Sequence, residues 1–238
     1  MTIDRLGGPG KISAVRSDSL REQVIRALEA AVVAGELQPG VLYSAPALAE
    51  RFHVSATPVR EAMLDLVREG IMEAVRNRGF RVMAVSEADL DQISQIRLLI
   101  EVPIMGQVAK MLTPEKVAEL NETGQAIEAA AERGDLIDYL DCDRRFHAQL
   151  VSTIGNPRLT DLVDRLRRQA RLFGLQELAD NGQLLASARE HRVMVKVLQS
   201  GDVAEAESLM TVHVGHTRGL WVGRSEDGGR SGRPISQA

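Results

Sequence analysis

Apolar positions along the chain change their spacing near residue 84, and that change divides it into two kinds of structure. From Ser19 to Ala34, Leu20, Val24, Ala27, Leu28 and Ala31 recur at helical steps and predict an amphipathic helix. GELQPG interrupts it, with Gly35, Pro39 and Gly40 as breakers. APALAERF, capped by Ser44, turns Leu48 and Phe52 inward, and HVS supplies a turn. The next helix collects Val59, Ala62, Met63, Leu66 and Val67 on one face, with Ser55 as its predicted N-cap and Pro58 in the first turn. IMEAV and FRVMAV then read as strands around RNRG, where Gly79 can take the left-handed conformation of a tight hairpin. Three helices and a hairpin make a winged helix-turn-helix.

From Glu87 the strand signal disappears. Helical periods cover 87–112, 114–133, 135–153, 157–178, 182–200 and 202–222, broken at Thr113-Pro114, Gly134, Gly155-Asn156-Pro157, Asn181-Gly182 and Gly201. Six such helices predict an all-α bundle. The expected fold is therefore mainly α: a flexible arm over 1–17, a winged helix-turn-helix over 18–84, an all-α domain over 85–222, and a disordered Gly- and Ser-rich tail over 223–238.

Composition narrows the class. A chain of 238 residues, 44% of them hydrophobic, is long enough for two domains with proper cores. Its apolar runs stop well short of the roughly 18 residues of a membrane span, and MTIDRLGGPGK lacks an apolar leader, so a cytoplasmic protein with no membrane partner is expected. The single cysteine, Cys142, excludes an internal disulfide and a cysteine zinc cluster. The net charge is −4, yet residues 1–84 hold 11 Lys and Arg against 10 Asp and Glu, which points weakly to an anionic partner for that part.

Off the packed face, the third helix presents Ser55, Thr57 and Arg60, and the hairpin presents Arg76, Asn77, Arg78 and Arg81. A helix N-terminus and hydroxyls suit phosphates, arginine suits a phosphate or base edge, and basic wing residues suit the DNA backbone or minor groove. The alternative is a protein-binding winged helix whose charges are merely solvated. LQPG followed by LAERFHVSATPVREAMLDLVREGIMEAVRNRGFRV closely resembles the DNA-binding domain of GntR-type bacterial transcription regulators. The resemblance implies a homodimer on a pseudo-palindromic double-stranded operator, with Ser55, Thr57 and Arg60 on the recognition helix and Gly79 at the wing tip. The family commonly has Arg directly after the serine. Ala56 stands there in this chain, so one base-reading side chain is absent.

The second part holds polar residues where apolar ones belong. Leu140, Asp143, His147, Leu150 and Ile154 form one stripe; Leu184, Ala188, His191, Val195 and Leu198 a second; Ala206, Met210, His213, Thr217 and Leu220 a third. A buried carboxylate without partners costs several kcal/mol, and a divalent ion held by three imidazoles and one carboxylate would supply them. Any one of these histidines, taken alone, is more simply a hydrogen-bonded core residue. His216 is an alternative to His213 as ligand, and His53 falls in the turn of the first domain without such a role. DRRFHAQL, GNPRL, EHRVMVKVL and His213 resemble the FCD ligand-binding domain of the FadR subfamily, in which an Asp and three His from separate helices often hold a metal. Six rather than seven helices suggest the VanR-like branch. The ion expected is Zn, Ni or Mn.

Arg97 also falls in a stripe, with Leu90, Ile93, Ile100 and Ile104. It can pair with Glu101 one turn on, or grip the carboxylate of an effector, as the matching arginine often does in this family. The function expected is a repressor whose operator binding is controlled by a small organic acid held near the metal. A metal-responsive regulator and a metalloenzyme are the alternatives. Against the enzyme, the chain has no G-x-S-x-G and no phosphate-binding glycine loop, and Glu190 is expected to point away from the ligand face.

Overall fold

The computed structural model describes residues 19–172 and 174–221. The arm expected over 1–17 and the tail expected over 223–238 lie outside the described residues. The chain begins with α1 (Leu20–Val33), fixed by a capping box in which the Glu22 amide donates to Ser19 Oγ and the Ser19 amide donates to Glu22 Oε2. Next come β1 (Leu42–Tyr43), α2 (Ala45–Phe52), α3 (Ala56–Arg68), β2 (Met72–Val75) and β3 (Gly79–Val82). Leu28, Leu48, Val59, Met63, Leu66, Ile71 and Val82 are buried together at their centre. This is the winged helix-turn-helix that the periodicity predicts.

The wing departs from expectation in two ways. It is a three-stranded antiparallel sheet in the order β1-β3-β2, because the dipeptide Leu42-Tyr43 pairs with Arg81 and Phe80. Gly79 is not the tip. It opens β3 opposite Val75, and the left-handed residue of the turn is Asn77, at φ 57°. Gly79 has φ +127°, and a Cβ there would stand 2.4 Å from the carbonyl oxygen of Tyr43. Glycine is required both by this positive φ and by the close approach of β1, not by a position at the tip of the turn.

The second part consists of α4 (Glu87–Met111), α5 (Pro114–Arg133), α6 (Leu136–Ser152), α7 (Pro157–Leu172), α8 (Leu175–Asp180), α9 (Leu184–Ser200) and α10 (Val203–Trp221). These are seven helices among the described residues where the periodicity predicts six. The stretch read as one helix over 157–178 is two, since α7 ends at Leu172 and α8 starts after Gly174. The helix count behind the VanR-like assignment is thereby corrected. The bundle core contains Met105, Val108, Leu120, Ile127, Tyr139, Phe146, Val195, Leu198 and Met210.

α4 packs mainly on α10 and leaves its outer side uncovered in the single chain. Gln92, Gln95, Ile96, Leu99, Pro103 and Gln107 are exposed there, Leu99 to 72%. The only charged residues from 92 to 109, Arg97 and Glu101, point inward. No described helix is long and apolar enough to cross a membrane.

Among the described residues, two contacts join the parts. Leu136, Ile137 and Leu140 of α6 pack against the winged-helix core. Polar side chains of α7 reach α1 and the end of α3, with Arg168 bonded to both Glu29 and Glu69.

Candidate functional site

The first candidate face is the start of α3 with the wing. Ser55 occupies the N-cap position in extended conformation but makes no side-chain capping bond, unlike Ser19, Ser44, Ser86 and Thr113 at other helix starts. An exposed helix start with a hydroxyl not used for capping suits an anion such as a phosphate. Thr57 and Arg60 are exposed on the following turn, as are Arg76, Asn77 and Arg78 on the wing. Gly79 is half-buried at the wing base. Arg81 bonds to Glu73 across the β2–β3 pair at 2.6 Å, which occupies one of the four cationic or amide wing residues named from sequence.

The second candidate is buried. Asp143 and His147 on α6, His191 on α9 and His213 on α10 are at most 2% exposed and converge. Potential ligand atoms of the three histidines all lie within 4.8 Å of one another. His147 and His191 approach through Nε2 at 3.2 Å, near the roughly 3.3 Å separating two tetrahedral ligands with bonds of about 2.0–2.1 Å. Asp143 Oδ1 stands 3.1 Å from His191 Nε2 and 3.8 Å from His147 Nε2. Phe146 sets its ring edge-on to both His147 and His191 and so fixes their planes. The side chain of His216, the alternative ligand, lies outside the description.

Hydrogen bonds on the far sides of the rings decide where the lone pairs point. His191 Nδ1 lies 3.0 Å from the carbonyl oxygen of Ala188, which can only accept. His213 Nδ1 lies 2.6 Å from Glu190 Oε2, a carboxylate oxygen. Both Nδ1 atoms therefore donate, which turns both Nε2 atoms inward. Burial, with Arg167 adding to it and the Glu190 hydrogen bond opposing it, pushes His213 down to about 3. Burial and Arg167 hold His147 well below the usual histidine range although Asp143 opposes them. His191 Nε2 faces an oxygen of Asp143 at 3.1 Å, a pair held by a proton between the two atoms or by positive charge nearby.

Part of that charge comes from Arg167 of α7, a residue the sequence reading did not single out. It is buried, donates from Nη1 to Glu101 Oε2 at 2.6 Å, and sets Nη2 3.4 Å from His213 Nε2 and 3.8 Å from Asp143 Oδ2. Arg97 is 1% exposed and donates from Nε to Glu101 Oε1 at 2.6 Å, the internal pairing that its spacing allows. Burial alone would raise the Glu101 carboxyl; Arg167 and Arg97 outweigh it and bring it to about 2. Two guanidiniums and two carboxylates thus lie beside three imidazoles. Glu190, expected to point away, instead orients His213 from outside the cluster, as carboxylates behind metal-binding histidines do. Three nitrogens within 4.8 Å of one another, with an Asp143 oxygen beside two of them, fit a divalent ion of the Zn, Ni or Mn kind.

Comparison with known proteins covers both parts. Residues 20–82 match the family described as bacterial regulatory proteins, gntR family, and residues 92–216 match the FCD domain. The HTH-type transcriptional regulator McbR of Escherichia coli is 29% identical over 82% of this chain and 88% of its own length. The HTH-type transcriptional repressor RspR of the same organism is 29% identical over 82% of this chain and 86% of its own. The solved structure of E. coli McbR/YncC superposes with a TM-score of 0.70 at 25% identity, covering 87% of this chain and 99% of that one.

Proposed function

The chain belongs to the GntR family of bacterial transcription regulators, in the form that carries an FCD domain, and from that premise we propose a repressor whose grip on operator DNA is controlled by a small organic acid bound beside a divalent metal ion. Its family and relatives are regulators of transcription, not enzymes. RspR, by its name, is a repressor, and repression relieved by ligand is the arrangement proposed here.

The observation that carries the metal reading is the pair of outward Nδ1 donors on His191 and His213, which leaves two Nε2 atoms aimed at the space shared with His147, beside Asp143. Those four residues are the proposed ligands. When bound, the ion offers a Lewis-acidic position to a carboxylate. Arg97 and Arg167 are the guanidiniums at hand for the same anion, and both are held by Glu101. An incoming carboxylate therefore competes with the Glu101 carboxylate for them.

On the DNA side, Ser55, Thr57 and Arg60 are proposed to enter the major groove, with Arg76, Asn77, Arg78 and Gly79 along the backbone beside it. A pseudo-palindromic operator calls for a homodimer. The uncharged outer face of α4, with Ile96, Leu99 and Pro103, suits a second copy because a two-fold axis there brings no like charges together. Such a regulator acts in the cytoplasm, on the chromosome.

The test begins with metal analysis of protein never exposed to chelator, where about one divalent ion per chain is expected, retained through dialysis and lowering the melting temperature when stripped. A thermal-shift screen of mono- and dicarboxylates follows, then operator titration with any hit for wild type and Arg97→Ala. Protein without metal, or a mutant that responds to the acid as wild type does, would remove the corresponding part of the proposal. An ion that exchanges readily and alters operator binding by itself would make the metal the signal.

A further inference from the structure

Three consecutive residues of α7 face two separate parts of the molecule. Successive helical residues turn about 100° around the axis, so neighbours on one helix can serve different surroundings. Arg167 points into the buried cluster, where Glu101, His213 and Asp143 surround its guanidinium. Arg168 points the other way. Its Nη1 lies 2.6 Å from Glu69 Oε2 and 3.1 Å from Glu29 Oε1, while its Nη2 lies 3.8 Å from Asp164. Gln169 Nε2 then donates to the backbone carbonyl of Glu69 at 2.9 Å.

Glu69 is the C-cap of α3, the helix that starts at Ser55 and presents Thr57 and Arg60. The contact is close. Gly70 has φ +75°, and a Cβ on it would stand 2.2 Å from Gln169 Nε2. One helix therefore touches the proposed ligand site with one side chain and the C-terminal end of the DNA-reading helix with the next two. The other junction between the parts is different in kind: α6 meets the winged-helix core through apolar Leu136, Ile137 and Leu140, with Arg26 and Asp141 paired at 3.3 Å between α1 and α6.

We propose that α7 is the coupling element, in which Arg167 responds to ligand among Asp143 and the histidines while Arg168 and Gln169 carry the displacement to the end of α3. This rests on the metal reading given above. The physical basis is competition for the same acceptors. The Arg167 guanidinium lies within 4 Å of His213 Nε2 and of Asp143 Oδ2, the groups proposed to bind the cation. Two positive charges seeking those atoms repel, so cation binding shifts Arg167 toward Glu101 on α4. A packed helix moves as a unit, and a shift at residue 167 reaches residues 168 and 169 without an intervening flexible segment.

The experiment is hydrogen–deuterium exchange on the full-length chain, wild type and Arg168→Gln, each with and without zinc ion. Zinc is expected to slow exchange around His191 and His213 in both proteins. In wild type it also changes exchange by about fivefold or more at residues 66–71, where the amides of Glu69, Gly70 and Ile71 close the end of α3. In Arg168→Gln that second response disappears. Should Arg168→Gln not fold, Gln169→Ala removes one bond of the same contact and is expected to reduce the response at 66–71. Zinc that slows α9 and α10 but leaves 66–71 unchanged in wild type, or changes it equally in wild type and variant, overturns the coupling role of α7. Zinc without effect at His191 and His213 instead brings down the metal reading, and the coupling with it.

Discussion

His213 of α10 donates its Nδ1–H to the Glu190 carboxylate of α9 across 2.6 Å, and this bond directs the opposite nitrogen into the buried cluster. Removing the acceptor frees both the tautomer and the ring orientation. Glu190→Ala is expected to weaken zinc affinity about 10- to 100-fold, and Glu190→Gln, whose amide oxygen still accepts, by less. Competition against a chelating dye measures both. Equal affinities for wild type and Glu190→Ala would mean that packing alone orients the ring.

Glu101 serves two buried arginines, so its loss and that of Arg97 are not equivalent. Glu101→Ala removes the nearest carboxylate from two buried guanidiniums at once and is expected to cost about 3–5 kcal/mol, whereas Arg97→Ala leaves Glu101 paired with Arg167 and costs less. Denaturant unfolding ranks the two. Because the Glu101 carboxyl is held at about 2, its contribution is present above the usual carboxylate range and is lost as pH falls through about 2. A larger loss for Arg97→Ala than for Glu101→Ala would contradict the shared pairing.

On the DNA face, Arg60→Ala is expected to weaken operator binding by about 1–3 kcal/mol at fixed salt without loss of stability. Ala56→Arg restores a side chain common in the family at the exposed first turn of α3 and should raise affinity or alter sequence preference. Anisotropy titrations unaffected by either change would assign the base contacts to other residues.

The contact between Glu29 and Arg168 carries a pH signature. Burial raises the Glu29 carboxyl to about 7; Arg168 opposes the shift, and Glu69 and Asp141 add to it. The folded chain then binds more protons than the unfolded chain between the usual carboxylate value and about 7, so this group's contribution is present below that window and lost as pH rises through 7. Relative to Glu29→Gln, wild type should lose stability between pH 5 and pH 8. A constant difference in melting temperature across that range would indicate that Arg168 keeps Glu29 ionised throughout.

The outer face of α4 yields a test of assembly. If two copies meet through Ile96, Leu99 and Pro103, Leu99→Glu places like charges across the two-fold axis. Sedimentation velocity should find wild type as a dimer of 26.0 kDa chains and the variant as a monomer with weakened operator binding. A variant that stays dimeric moves the interface elsewhere.

The helical period revealed Asp143, His147, His191 and His213 because each replaces an apolar residue in an otherwise regular stripe. Arg167 gave no such sign. RLRRQ spreads Arg165, Arg167 and Arg168 over several faces of a strongly polar helix, and only packing decides which of them is buried. Glu190 sits beside His191 in sequence yet serves His213 on another helix, a relation no single-helix pattern contains. Leu42-Tyr43 is too short for an alternation to register, so the third strand of the wing went unread, and with it the true reason for glycine at 79.

That glycine separates what can diverge from what cannot. The wing is anchored where Gly79 lies against the Tyr43 carbonyl, and only Arg76, Asn77 and Arg78 extend beyond the last strand pair, Val75 with Gly79. Replacement at the anchor would pry β1 from β3 and disturb Ser44, which caps α2 directly after β1. Exchange of the exposed arginines on either side of Asn77 disturbs neither. Descendants of this chain could change the chemistry of the wing by altering the tip alone, inheriting α3 and its scaffold unchanged.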